Sequence, residues 1–190
     1  MKTPEIAGVL LAAGSAQRFG GNKLLHSLPD GTPVAVAAAR TLVQAVPVSI
    51  AVVRPGDTEL TEHLSALGLR IVENPLATEG MGTSLAAGIL ATADAAGWII
   101  GLADMPWILP GTIATLADRL RAGASIVAPV HAGQRGHPVG FSSRWRRDLC
   151  LLTGDMGARG LLKAHTSLLD KLETDDQGVI GDIDFQADII

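Results

Sequence analysis

The run VLLAAGSAQRFGGNKLL, Val9 to Leu25, decides how the rest of the chain is read. It opens as a short apolar strand, passes through small residues, and closes on Arg18, the pair Gly20 and Gly21, and Lys23. A strand feeding straight into such a loop puts the loop at its carboxyl end, where ligands sit in α/β sheets. The loop is neither G-x-G-x-x-G nor a Walker A motif, because Lys23 lies three residues past Gly20 and is followed by Leu24. It still has the parts of a phosphate cradle. Ala12, Ala13 and Gly14 let backbone come close to a ligand, and their N–H groups can form an anion nest. Arg18 offers a bidentate fork and Lys23 a point charge, which suits a triphosphate. A Gly-rich turn with two solvated cations would account for the same residues, so the rest of the chain has to decide.

Outward from that loop the chain alternates strand and helix. PVAVAAARTLVQA predicts a helix with Pro33 in its first turn, and VSIAVV a second strand. DTELTEHLSALG predicts an amphipathic helix capped by Asp57 and stopped by Gly68, and LRIVE a third strand. TSLAAGILATADAAG predicts a helix opened by Thr83 or Ser84, followed by the strand WIIGLAD. PGTIATLADRLRAG predicts a helix ending at Gly123, and SIVAPV a fifth strand. This order implies a Rossmann-like α/β fold, a mostly parallel sheet with helices on both faces. After Val130 the regularity fades: HAGQRGHPVGF reads as loop, ARGLLKAHTSLL as a short helix, and the acidic end as aperiodic. With no repeat and no long linker, 190 residues predict one domain over 1–190.

Composition narrows the function. At 47% hydrophobic and 18% charged the chain is globular rather than disordered. A net charge of −4 argues against nucleic acid and anionic membrane as partners. Cys150 is the one cysteine, so there is no intrachain disulfide framework, which fits a reducing cytoplasm. In the setting DLCLLTG it reads as a core thiol. No apolar run is long enough to cross a membrane. Lys2, the run Ile6 to Ala13 and the following GSA mimic a short signal peptide, but Glu5 spoils its basic start.

Two stretches add chemistry. WIIGLADMP puts Asp104 just past an apolar strand, a natural Mg²⁺ ligand if phosphates bind beside it. EGMGTSL sets Gly80 and Gly82 around Met81, then Thr83 and Ser84. A helix cap explains the hydroxyls but not the paired glycines, which would let a flat base lie against backbone. The remaining histidines, His26, His63, His131 and His165, have no metal-ligand spacing.

The pattern L-A-A-G, three residues, R-x-G, two residues, K resembles the signature of MobA-like nucleotidyltransferases. Four further stretches resemble that family in order: EGMGTSLAAGI, LADMP, GQRGHPVGF and GDMGAR. Ala13, where the guanylyl branch usually has glycine, resembles the molybdenum cofactor cytidylyltransferases (MocA-type). Two places depart: Phe19 stands where the family often has Met, and DIDFQAD keeps Asp182 and Asp184 without the Thr-Pro-Glu that tends to follow.

The resemblance implies transfer of CMP from CTP to molybdenum-bearing molybdopterin, with release of pyrophosphate. It assigns Arg18, Lys23 and Asp104 to catalysis. Ala12, Ala13, Gly14, Arg18, Gly20, Lys23, Gly82, Thr83 and Ser84 would hold the nucleotide. Arg135, Gly136 and His137 would meet the pterin. Mg²⁺ would sit on Asp104 with Asp182 or Asp184, which alternate along a possible strand and would face opposite sides. The attacking pterin phosphate is already ionised, so His137 is not needed as a base, and catalysis is alignment plus charge neutralisation. The resemblance also implies transient contact with a molybdenum enzyme or its chaperone. Other readings are a related transferase using another nucleotide or acceptor, such as guanylyl transfer or a sugar phosphate, and a non-catalytic carrier of the cofactor.

Overall fold

The computed structural model describes residues 5–14 and 22–188. Arg18 and Gly20, expected at the nucleotide, lie outside the described residues. Strand β1 (Ile6–Leu11) is buried along its whole length. It is flanked by β2 (Ser49–Val53) and β4 (Gly97–Leu102), both parallel to it, with β3 (Arg70–Glu73) parallel beyond β2. The side chains of β1 alternate between two cores. Ile6 and Leu10 enter one apolar cluster, and Ala7, Val9 and Leu11 enter the other. Burial on both faces is why this strand reads as an unbroken apolar run.

Helices cover the two faces. Helix α1 (Val34–Ala45), α2 (Thr58–Ala66) and α4 (Pro110–Arg121) pack on the Leu10 side through Leu42, Leu60 and Leu116. Helix α3 (Met81–Ala91), with the short α5 (Arg146–Cys150) and α6 (Arg159–Ala164), packs on the Val9 side through Leu85, Leu149 and Leu162. Cys150 is half-buried beside this second core, and burial raises its thiol above the ordinary value.

The fold is a mostly parallel α/β sheet of eight strands in the order β3-β2-β1-β4-β7-β5-β6, with β8 also on β5. Three strands depart from the sequence reading. Part of the expected loop HAGQRGHPVGF forms β6 (Gln134–Arg135) and β7 (Val139–Ser142), antiparallel to β5 (Ile126–His131), with β7 also antiparallel to β4. The expected aperiodic end contains β8 (Leu169–Glu173), parallel to β5. β6 is only two residues long, and β8 lacks a buried residue, so neither shows an apolar pattern. Two helix starts also differ. Pro33 is the N-cap of α1, one place before its first turn. Helix α3 begins at Met81 after Gly80, not at Thr83 or Ser84. The residues 182–184, expected as a strand, are in none. No helix among the described residues is long and apolar enough to cross a membrane.

Candidate active site

A cavity of about 980 Å³ lies over the carboxyl ends of β2, β1 and β4. The chain runs from β1 outward to β3 and then returns to place β4 on the other side of β1. The β1–β4 border is thus a topological switch point, where loops diverge and leave a crevice. Each strand end delivers residues to the cavity: Ala13 and Gly14 after β1, Arg54 and Asp57 after β2, Asp104 after β4. Ala12 does not reach it. Its N–H donates to the Val52 carbonyl at 2.8 Å and so continues the sheet ladder, leaving Ala13 and Gly14 as the described part of the nest. Around Gly14 no heavy atom of the described residues lies within 4 Å of where a side chain would begin.

Lys23 heads a short 3₁₀ turn, Lys23–Leu25, with Leu24 buried in the core beneath it. Its ammonium donates to Asp104 Oδ2 at 2.8 Å and lies 3.5 Å from Asp184 Oδ1. The two sequence-distant carboxylates therefore converge on one cation. Asp184 is brought there by the chain end: the Ile183 N–H donates to the Asp104 carbonyl at 3.0 Å, and the Ile183 side chain is fully buried. Asp188 then accepts from the N–H groups of Asp184 and Phe185, which closes the segment into a turn. Those two bonds hold the Asp188 carboxyl below its ordinary value. Asp182 is exposed and does not border the cavity. Of the two aspartates left open by the sequence, the geometry brings Asp184 to Asp104.

The EGMGTSL stretch forms one wall. Thr83 Oγ1 bonds to the Leu76 and Gly80 carbonyls at 2.8 and 2.9 Å. Asn74 Nδ2 donates to both Thr83 Oγ1 and Ser84 Oγ at 3.0 Å. The glycines answer a different need from the one expected. A Cβ on Gly82 would meet the Thr153 backbone at 2.6 Å, and the Gly82 N–H donates to the Gly154 carbonyl at 2.8 Å. Close approach by the 153–155 loop, not space for a base, requires glycine there. Gly82 and Thr83 thus build the wall from behind, while Ser84 and Gly80 face the cavity. Asn74, Arg54 and Asp155 were not singled out from sequence. Arg54 and Asn74 each directly follow a parallel strand, the same signal that marked Asp104.

Arg135 ends β6, and Gly136 and His137 lie in the connection from β6 to β7; none of the three lines the cavity. The Gly136 N–H donates to the Pro129 carbonyl at 2.9 Å and the His137 N–H to Val179 at 2.8 Å. A side chain on Gly136 would collide with the Val179 carbonyl, which accounts for that glycine. Arg135 Nη1 and His137 Nδ1 are buried without a hydrogen-bond partner among the described residues. Burial, and then the charge of Arg159, lower the Arg135 guanidinium. Burial first, then Arg135, drive His137 down to about 4, with Asp104 pulling the other way and Arg159 adding to the fall. The imidazole is therefore neutral at pH 7, and Arg135 and Arg159 form a like-charged pair next to it.

The donor set fits a small divalent cation. Asp104 and Asp184 already enclose one positive charge, and oxygen ligands from one or two carboxylates suit Mg²⁺. Among the described residues no group of three or more His, Cys, Asp or Glu could hold a metal. An ion here would take its other ligands from water and phosphate oxygens.

The model of the MobA-like NTP transferase domain matches residues 8–169. Nicotine blue oxidoreductase of Paenarthrobacter nicotinovorans is 30% identical, over 95% of this chain and 93% of its own length. Purine catabolism protein PucB of Bacillus subtilis is also 30% identical, over 97% of this chain and 94% of its own. Among solved structures, Rv0371c of Mycobacterium tuberculosis is 27% identical with a TM-score of 0.85, covering 99% of this chain and 96% of its own. A complex of Rv0371c with manganese superposes with a TM-score of 0.79 at 26% identity, over 97% of this chain and 95% of its own.

Proposed function

The chain belongs to the family of MobA-like NTP transferase domains, and from that premise we propose that it transfers CMP from CTP to molybdenum-bearing molybdopterin. The observation that carries this reading is the convergence of Lys23, Asp104 and Asp184 at the switch-point end of a nucleotide-sized cavity. Ala13 and Gly14 N–H groups, with Lys23 and the loop cation Arg18, hold the triphosphate. Asp104 and Asp184 would hold Mg²⁺, which would supply charge neutralisation at the phosphates. The acceptor approaches from the other side of Asp104. There the unpartnered Arg135 Nη1 and His137 Nδ1, with Arg159, offer positive charge and polar atoms to a phosphate ester.

An acceptor phosphate ionised at neutral pH attacks the α-phosphorus of CTP. A new P–O bond forms, the bond to the β-phosphate oxygen breaks, and pyrophosphate leaves with that electron pair. No proton has to move, which agrees with a His137 held neutral and away from the nucleotide cavity. Rate enhancement comes from alignment of the two anions and from cationic groups placed where charge builds up. The assay is pyrophosphate release from CTP and Mg²⁺ that depends on added molybdopterin. Release with a sugar phosphate instead would name another acceptor of the same class. No release with any acceptor, together with cofactor retention, would identify a carrier. The name of one relative points to a redox reaction, and a redox reaction would release no pyrophosphate.

A further inference from the structure

From the position and the unused bonds of two charged side chains, we propose that Arg54 and Asp57 read the edge of the nucleobase and select cytosine. The proposal rests on the nucleotidyltransferase reading and deepens it. With the phosphate groups at Lys23 and Asp104, the opposite end of the cavity lies over β2, across β1 from β4. Two strand spacings amount to about 10 Å, enough to separate an α-phosphate from a base. Arg54 and Asp57 line that end.

Both side chains leave their ordinary partners unused. Asp57 occupies the N-cap of α2, yet its carboxylate makes no capping bond. Arg54 Nε donates to the Ala13 carbonyl at 2.8 Å, and its terminal nitrogens have no partner among the described residues. Opposite charges three residues apart ordinarily pair, but no ion pair joins these two. The result is a half-buried double donor beside a carboxylate acceptor, both open to the same cavity.

That set matches one base edge in full. Cytosine presents two adjacent acceptors, O2 and N3, to the Arg54 fork and an amino donor, N4, to Asp57. Uracil puts N3–H against the guanidinium and O4 against the carboxylate, two mismatches. Guanine can give N1–H and N2–H to Asp57 but offers only O6 to the two terminal nitrogens of Arg54, which leaves one donor unpaired, and adenine offers a single ring nitrogen. The Nε bond also anchors Ala13, so the side chain that reads the base holds the nucleotide loop in register with it.

The test is calorimetric titration of CTP, UTP and GTP into the wild type and into Arg54→Met, Arg54→Lys and Asp57→Asn. The wild type is expected to favour CTP over UTP. Asp57→Asn, which can donate to O4, is expected to lower that preference about tenfold or more. Arg54→Met lowers it as well. Arg54→Lys keeps the charge and can still reach Ala13, so its melting temperature stays near wild type while its base preference falls. CTP binding with an unchanged CTP:UTP ratio in both Asp57→Asn and Arg54→Lys would overturn the assignment and leave the transferase reading intact. A wild type that prefers UTP or GTP would overturn the choice of cytosine. A wild type that binds no nucleotide would overturn the transferase reading itself.

Discussion

Replacing Lys23 with methionine should let the site bind a divalent cation before any nucleotide arrives. The Lys23 ammonium occupies the place between Asp104 and Asp184, at 2.8 and 3.5 Å. A metal entering alone must displace it, whereas a metal entering with a triphosphate gives Lys23 a new anionic partner. Opposite charges about 4 Å apart attract by about 4 kcal/mol at an effective dielectric of 20. The Lys23 and Asp104 side chains are 12% and 24% exposed, so solvent removes part of that. Discounting by half leaves about 2 kcal/mol, or about 30-fold in affinity. Methionine keeps the apolar stem and removes the charge. The assay is the electron paramagnetic resonance signal of free Mn²⁺ titrated with protein, without nucleotide. Lys23→Met should bind Mn²⁺ about 30-fold more tightly than wild type, and adding Asp104→Asn should remove the gain. Equal Mn²⁺ affinity in wild type and Lys23→Met would refute the reasoning, because the ammonium would then not be competing for those carboxylates.

Asp104→Asn alone should keep the fold and shift the Mg²⁺ dependence of turnover to higher concentration, and superimposable Mg²⁺ curves would reduce Asp104 to a structural role. Ala13→Gly should relax discrimination against GTP by about 1–3 kcal/mol, read as the ratio of kcat/KM for CTP and GTP, since the methyl group takes room a purine would need. The folded protein holds His137 at about 4 against an ordinary 6.5, so the unfolded chain binds the extra proton first. Stability from this group is complete above pH 6.5 and falls as pH drops toward 4, on the order of 3 kcal/mol in all. His137→Gln should flatten the fall of melting temperature across that window.

Strands β1, β2 and β4 were legible because they are buried along nearly their whole length. A run such as Ile6–Leu11 can satisfy that environment only by being apolar throughout. The same rule marked Asp104 and the Ala13–Gly14 loop, since strand ends in this architecture are where a ligand is met. It applied equally to Arg54 and Asn74, but these look like ordinary turn residues until the fold shows Arg54 at the cavity and Asn74 bonded behind it to Thr83 and Ser84. Tertiary structure alone decided the rest. Asp184 reaches Lys23 because Ile183 is buried and bonded to the Asp104 carbonyl, a contact across the whole chain with no local signature. Gly82 is glycine because the Thr153 backbone passes against it, and one stretch does not report what will pack on it from another. The strands after Val130 stayed hidden for the same reason. Their pairing with β4 and β5 is set by contacts between separate stretches, while β6 is two residues long and β8 has no buried residue to form an apolar pattern.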